Sequence, residues 1–211
     1  MLRRRFVLTT SVTFAVRAEV IGEPLIRSNI SPKTQGTSAL TRQHRIRAAR
    51  TEDVSALKSL ALDNGMFEPG EMDDFDDALS GYFDGSLDNH FWIVLEDDSG
   101  DVVGAAYYAP EPFADRMWNL YFISVRPGLH GRGVGRALIT HVEDALRQQG
   151  EQVARVLIVE TSSVDAYGQA RGFYRTQEYE EEARIREFYG PGDDKIVFWK
   201  SLNMTTQNPR R

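Results

Sequence analysis

The twelve residues from Val125 to Arg136, Val-Arg-Pro-Gly-Leu-His-Gly-Arg-Gly-Val-Gly-Arg, constrain this chain more than any other stretch. Trp118 to Val125, rich in aromatic and β-branched residues, reads as a strand that runs into them. Beyond them Val134, Leu138, Val142, Ala145 and Leu146 recur at helical spacing, and Gly150 follows Arg147 as a stop signal. The order strand, glycine loop, helix describes an anion cradle. The first amides of a helix lack partners within it and sit at the positive end of its dipole, so a phosphate placed there gains hydrogen bonds and charge compensation together. Gly131, Gly133 and Gly135 let backbone approach a ligand without a Cβ in the way. A tight strand-to-helix turn with no ligand fits the same pattern. Two other phosphate loops do not: no Lys-Ser/Thr follows the glycines, and the spacing is Gly-x-Gly-x-Gly with Ala137 next, not Gly-x-Gly-x-x-Gly.

The remaining elements fall into place around this unit. Thr51 is expected to cap a helix reaching about Leu62, with Val54, Leu57, Leu60 and Ala61 inward. A short helix is expected near Asp73 to Tyr82. Phe91 to Glu96 and Val102 to Tyr108 read as strands joined by the turn residues Asp97 to Asp101. Arg155 to Glu160 reads as a buried strand, Val164 to Tyr174 as a helix, and Glu181 to Tyr189 and Lys195 to Leu202 as closing strands around Gly190 to Asp193. The predicted order is strand, two helices, three strands, helix, strand, helix, two strands, an α/β mixed sheet with helices on both faces.

Charge divides the chain. The first fifty residues hold ten basic and two acidic residues, which leaves fifteen basic and twenty-nine acidic in the rest, net −14. Residues 1–44 read as a basic leader, either a targeting segment or an over-long start, residues 45–202 as the folded domain, and 203–211 as a polar tail. No run approaches the roughly 18 apolar residues that span a bilayer, so no membrane partner is expected. The acidic domain disfavours nucleic acid. Cysteine is absent, which removes thiolate nucleophiles and thiolate metal sites, and the four histidines show no ligand spacing, so no metal is expected. The oligomeric state is open, a homodimer included.

The glycine run resembles motif A of the Gcn5-related N-acetyltransferases, Gln/Arg-x-x-Gly-x-Gly/Ala after a strand ending Val-x-Pro: here Val125-Arg126-Pro127, then His130-Gly131-Arg132-Gly133-Val134-Gly135. Ala170-Arg171-Gly172-Phe173-Tyr174, ahead of Glu178-Tyr179, is similar to motif B, and the likeness extends over about residues 45 to 202. The resemblance implies a GNAT-like sheet whose splayed central strands bind acyl-CoA. It implies acetyl-CoA as acyl donor, held by Ser124, Val125, His130, Gly131, Arg132, Gly133, Val134, Gly135 and Arg136, with a backbone amide near Ser124 or Val125 facing the acyl oxygen. Three residues depart from the family pattern: His130 in place of Gln or Arg, Tyr167 in place of the frequent Asn, and Glu178 in place of Gly.

Acetyl transfer to an amine needs an oriented acyl group, a donor to its oxygen, a neutral amine and an acid for the departing thiolate. The resemblance implies Tyr174 as that acid. Where many relatives carry a Glu on the central strand this chain has Tyr121, which leaves Glu160 as the candidate base, acting directly or through water, or a water wire ordered by Tyr121. Residues 68–88 carry eight acidic residues and no basic one, interleaved with aromatics; Phe67, Met72, Phe75 and Asp76 are expected to border the acceptor, and a solvated face is the alternative. The expected function is N-acetylation of a small, cationic amine in the cytoplasm, or in the mitochondrial matrix or plastid stroma if the leader is a transit peptide. A non-catalytic acyl-CoA-binding domain and a transferase using another acyl-CoA are the alternatives.

Overall fold

The structure is a computed structural model that describes residues 45–65 and 72–203. The leader 1–44, Phe67 and residues 204–211 of the tail lie outside the described residues. Strand β1 (Arg45–Ala48) is followed by α1 (Val54–Asp63), α2 (Asp73–Phe83), β2 (Phe91–Glu96), β3 (Val102–Pro110), β4 (Met117–Val125), α3 (Val134–Gln149), β5 (Val156–Ser162), α4 (Gly168–Thr176), β6 (Glu180–Gly190) and β7 (Asp193–Ser201). The predicted order of elements is the one observed. Short 3-10 turns, Thr51–Asp53 and Asp165–Tyr167, lead into α1 and α4.

The seven strands form one sheet in the order β1-β2-β3-β4-β5-β7-β6, antiparallel throughout except for the β4–β5 pair. Alternation along the strands sends side chains to two cores. On one face Leu138, Val142 and Leu146 of α3 pack over Ile93, Val103, Leu120, Leu157 and Phe198. On the other, Leu57, Leu60 and Phe75 of α1 and α2 pack over Trp92, Ala105, Tyr107 and Phe122. Gly104 shows why β3 needs a glycine beneath α3: a Cβ there would stand 2.8 Å from Cγ1 of Val134.

One local reading needs correction. Thr51 does not cap α1. Its hydroxyl reaches only Glu52, and the start of the helix is held by Asp53, which accepts the Arg50 amide at 2.7 Å and the Arg47 guanidinium at 2.6 and 2.9 Å. Arg47 also donates to Glu96 at 2.6 Å, tying β1, α1 and β2 together and holding the Asp53 carboxyl below its ordinary range. The inward stripe of α3 also contains Glu143, which is buried between Lys200, Arg147 and the hydroxyl of Tyr179 at 2.9 to 3.1 Å. Among the described residues no helix is long and apolar enough to cross a membrane.

Candidate active site

A slip in register shapes the site. Tyr107 pairs with Phe122 and Tyr108 with Leu120, so Tyr121 is an extra residue in β4 opposite no single residue of β3. A bulge of this kind bends the strand and reverses the alternation beyond it. Trp118 and Leu120 face α3 before the bulge, Ile123 and Val125 after it, and Tyr121 and Phe122 both turn to the α1 side. Pairing of β4 with β5 ends just before the bulge, at Asn119↔Ile158, although both strands continue. Their far halves therefore diverge, leaving the β5-facing backbone of Leu120 to Val125 without a strand partner.

The divergence opens a cleft of about 640 Å³ lined by both strands, the loop after β4 and α4. At its mouth Gly131 and Gly133 hold φ of +72° and +89°, a region costly for any residue with a Cβ, and Gly133 caps α3. A Cβ at either would meet nothing within 4 Å, so the loop is open in front. Gly135 differs: a Cβ there would lie 3.4 Å from Phe173, so this glycine sets how closely α3 and α4 approach. His130 and the Asn64 side chain both bond the carbonyl of Val125, at 3.0 Å each, and Asn64 also donates to Ser124 Oγ at 2.8 Å. The end of β4 is thus tied to α1 on one side and to the glycine loop on the other.

Of the residues expected at the acyl donor, Ser124, Val125, His130, Gly131, Gly133, Gly135 and Arg136 line this cleft. Arg132 is exposed beside it, and Val134 turns its side chain into the core. Tyr174 lines the cleft from α4, its ring buried among Phe173, Tyr179 and Phe198, and burial raises its phenol above the ordinary value. Tyr167 lines it too, and its hydroxyl is buried without a hydrogen-bond partner. Tyr121 and Glu160 enter from the α1 side, but Oε2 of Glu160 is already held by Lys195 Nζ at 2.8 Å. Met72 and Phe75 are not brought to the cleft: they are the buried face of α2, with Phe75 packed edge-on against Trp92 and Phe122. Asp76 pairs with Lys58 at 2.7 Å on the outer side of α2.

Sequence reasoning passed over Asn64, Lys195 and Glu111. Glu111 lies in Pro110-Glu111-Pro112, which reads as a turn, yet its Oε2 accepts hydrogen bonds from Tyr121 Oη and Asn119 Nδ2, each at 3.1 Å.

The chain that builds this cleft matches the acetyltransferase (GNAT) family model over residues 55–179, more than half its length. This chain belongs to the GNAT acetyltransferase family. Among solved structures, it resembles a putative GNAT-family acetyltransferase from Desulfovibrio desulfuricans at 28% identity and TM-score 0.69, over 76% of this chain and 99% of that one. It also resembles yncA, a putative acetyltransferase from Salmonella typhimurium with its cofactor acetyl-CoA, at 19% identity and TM-score 0.61, over 79% and 98%. A third likeness is to the ribosomal-protein-S18-alanine N-acetyltransferase from Escherichia coli, at 18% identity and TM-score 0.59, over 80% and 100%. No curated protein matches the chain by sequence. At Glu178, where this chain departs from the family pattern, φ is +63° on the turn that ends α4, a conformation in which a glycine would be unstrained.

Proposed function

We propose that this GNAT acetyltransferase acetylates the primary amine of a small, cationic acceptor, with acetyl-CoA as donor. The observation that carries the reading is one cleft lined at once by the glycine cradle, the unpaired edge of β4 and the buried phenol of Tyr174. The residues fit the donor. Gly131 and Gly133 are open in front, the amides of Gly131 to Arg136 begin a helix where negative charge is favoured, and Tyr167 has a buried hydroxyl in need of a partner. The Salmonella neighbour with its cofactor acetyl-CoA supports the same donor.

Acetyl-CoA supplies an activated acyl group, so the chain's own residues orient, polarise and move protons. Gly131, Gly133, Gly135 and Arg136 would hold the pyrophosphate end, and the free edge of β4 near Ser124 and Val125 would pair with the donor's amide arm and face the acyl oxygen. Tyr174 would protonate the departing sulfur; burial keeps its phenol protonated until a strong base forms beside it. A cationic acceptor is favoured by the net −14 beyond residue 50 and by Tyr121 and Glu160 on the α1 side of the cleft. Because that donor is made and kept inside cells, the working compartment in this reading is the cytoplasm.

The test is an amine screen with purified protein and acetyl-CoA, following thiol release and identifying acetylated products by mass spectrometry. Turnover is expected on cationic amines, with KM rising as salt shortens the Debye length from about 30 Å to about 8 Å. Tight acetyl-CoA binding with no turnover on any amine would make the protein a binding module instead. Preference for neutral or anionic amines would remove the electrostatic part of the reading.

A further inference from the structure

We infer that Glu111, acting through Tyr121, is the group that finally receives the proton leaving the acceptor amine. The inference rests on the acetyl-transfer reading above and completes the same site. Glu111 follows the last paired residue of β3, and its own amide donates to the Met117 carbonyl at 2.8 Å, which fixes it over the first half of β4. There Oε2 accepts one hydrogen bond from Tyr121 Oη and one from Asn119 Nδ2, each at 3.1 Å. The two donors lie two residues apart and so point to the same face of the strand. Asn119 is buried at the last position where β4 still pairs with β5, so its amide is a fixed peg against which the carboxylate is set.

The bridge runs from inside to outside. Tyr121 lines the cleft, whereas Glu111 is half-buried and not part of its wall. Burial first, and the Glu111 charge next, hold the Tyr121 phenol in its protonated form, so it can give up a proton only as it takes one. The step balances as follows. As nitrogen bonds to the acetyl carbon and the carbon–sulfur bond breaks, the surplus proton on nitrogen passes to Tyr121 Oη, the phenol's own proton passes to Glu111 Oε2, and sulfur takes the proton of Tyr174. Glu111 then loses its proton to solvent and Tyr174 regains one. The other titratable groups facing Tyr121 are Tyr107 on β3, whose hydroxyl is bonded to His90, and Glu160 on β5, paired with Lys195 of β7. Glu160 has a cation as its partner; Glu111 has the phenol.

The experiment uses the full chain and the variants Glu111→Gln, Glu111→Asp and Tyr121→Phe. Glu111→Gln keeps both hydrogen bonds possible but accepts no proton, so kcat is expected to fall about 10²-fold while the calorimetric Kd for acetyl-CoA is unchanged. The loss of kcat/KM at acid pH that a carboxylate acceptor imposes should vanish in Glu111→Gln and return in Glu111→Asp. The double variant with Tyr121→Phe should be no worse than either single, because the two act as a unit. A readout free of turnover is the ring carbon-13 shift of Tyr121 at neutral pH, which should move in Glu111→Gln, where a neutral amide replaces the carboxyl group that accepts its hydroxyl, while the other tyrosine signals stay in place. An active wild type with Glu111→Gln unchanged in rate, pH profile or Tyr121 ring shift overturns this inference alone. A wild type inactive with every amine overturns the acetyl-transfer reading and this inference with it.

Discussion

Lys195 Nζ stands 2.8 Å from Oε2 of Glu160, with the lysine side chain 7% and the glutamate side chain 19% exposed. The same ammonium lies 3.5 Å from the centre of the Phe188 ring, so the pair is closed in between β5, β7 and the end of β6. Charges so far from water depend on each other. Removing one partner strands the other, at a cost of about 3–5 kcal/mol, whereas replacing both by apolar groups is often neutral. Glu160→Gln is therefore expected to lower the unfolding free energy by about 3 kcal/mol, and Glu160→Gln with Lys195→Met to recover most of it. Urea denaturation of the four proteins in this cycle measures both effects. A Glu160→Gln variant of unchanged stability but lost turnover would instead give this carboxylate a chemical role.

Two of the cradle glycines, Gly133 and Gly135, should fail for different reasons. Gly133→Ala forces a Cβ onto a φ of +89° with open space in front, so its cost is backbone strain of about 1–2 kcal/mol. Gly135→Val drives side-chain bulk against Phe173, 3.4 Å from where a Cβ would begin, and pushes α3 from α4. Both should weaken acetyl-CoA by about tenfold or more, ~1.4 kcal/mol, in calorimetry. His130→Gln should leave affinity within about twofold, since a glutamine amide can donate to the same Val125 carbonyl.

Tyr174→Phe keeps the ring among Phe173, Tyr179 and Phe198 and deletes only the proton. Turnover should drop by about 10²-fold with acetyl-CoA affinity and thermal stability nearly unchanged. Single-turnover thiol release read beside calorimetry separates the two. Near-normal thiol release would reduce Tyr174 to a packing residue.

Glu178 offers a gain in stability. Its φ of +63° follows the last turn of α4, where the Tyr179 amide returns to the Tyr174 carbonyl at 3.1 Å. A side chain at that conformation costs about 1 kcal/mol that glycine does not. Glu178→Gly should therefore raise the Tm by about 2–4 °C in a domain of this size, measured by calorimetry.

What was legible in the sequence is what local chemistry fixes. The glycine loop, the helix behind it and the order of all eleven elements follow from periodicity and turn residues, and the structure has them in that order. The bulge at Tyr121 was not legible, because a bulge is a relation between β4 and the register of β3. Without it the divergence of β4 from β5 has no local cause to read. Glu111 was missed for the same reason: its importance comes from standing across from Asn119 and Tyr121, which only the β3–β4 pairing decides. Met72, Phe75 and Leu79 show the opposite error. Their spacing of three and four is the buried stripe of a helix, and the acids between them drew attention to a pocket when the period already described a core face. Glu143 sits in such a stripe as a charge, and its partners Lys200 and Tyr179 come from elements far along the chain.

The tyrosines set the alkaline limit of the fold. Tyr107, Tyr108, Tyr167, Tyr174 and Tyr179 are buried, and burial is the first cause raising each phenol above its ordinary value near 10, Tyr108 to about 12. A raised value means that the native state keeps its proton where the unfolded chain has lost it. Stability from this source is therefore complete below about pH 10 and is lost as pH climbs from there towards the native values. Each such phenol contributes up to about 1.4 kcal/mol per pH unit, so five acting together give a slope on the order of 7 kcal/mol per unit. That exceeds half the stability of most domains within a single unit. The protein should stay folded to about pH 10 and then unfold cooperatively within roughly one further unit, with the phenolate absorbance of the buried tyrosines appearing in step with loss of the far-ultraviolet dichroism. Phenolate signal from five or more tyrosines in a chain that still shows native dichroism would mean that these rings are open to water, and with them the cleft that Tyr167 and Tyr174 line.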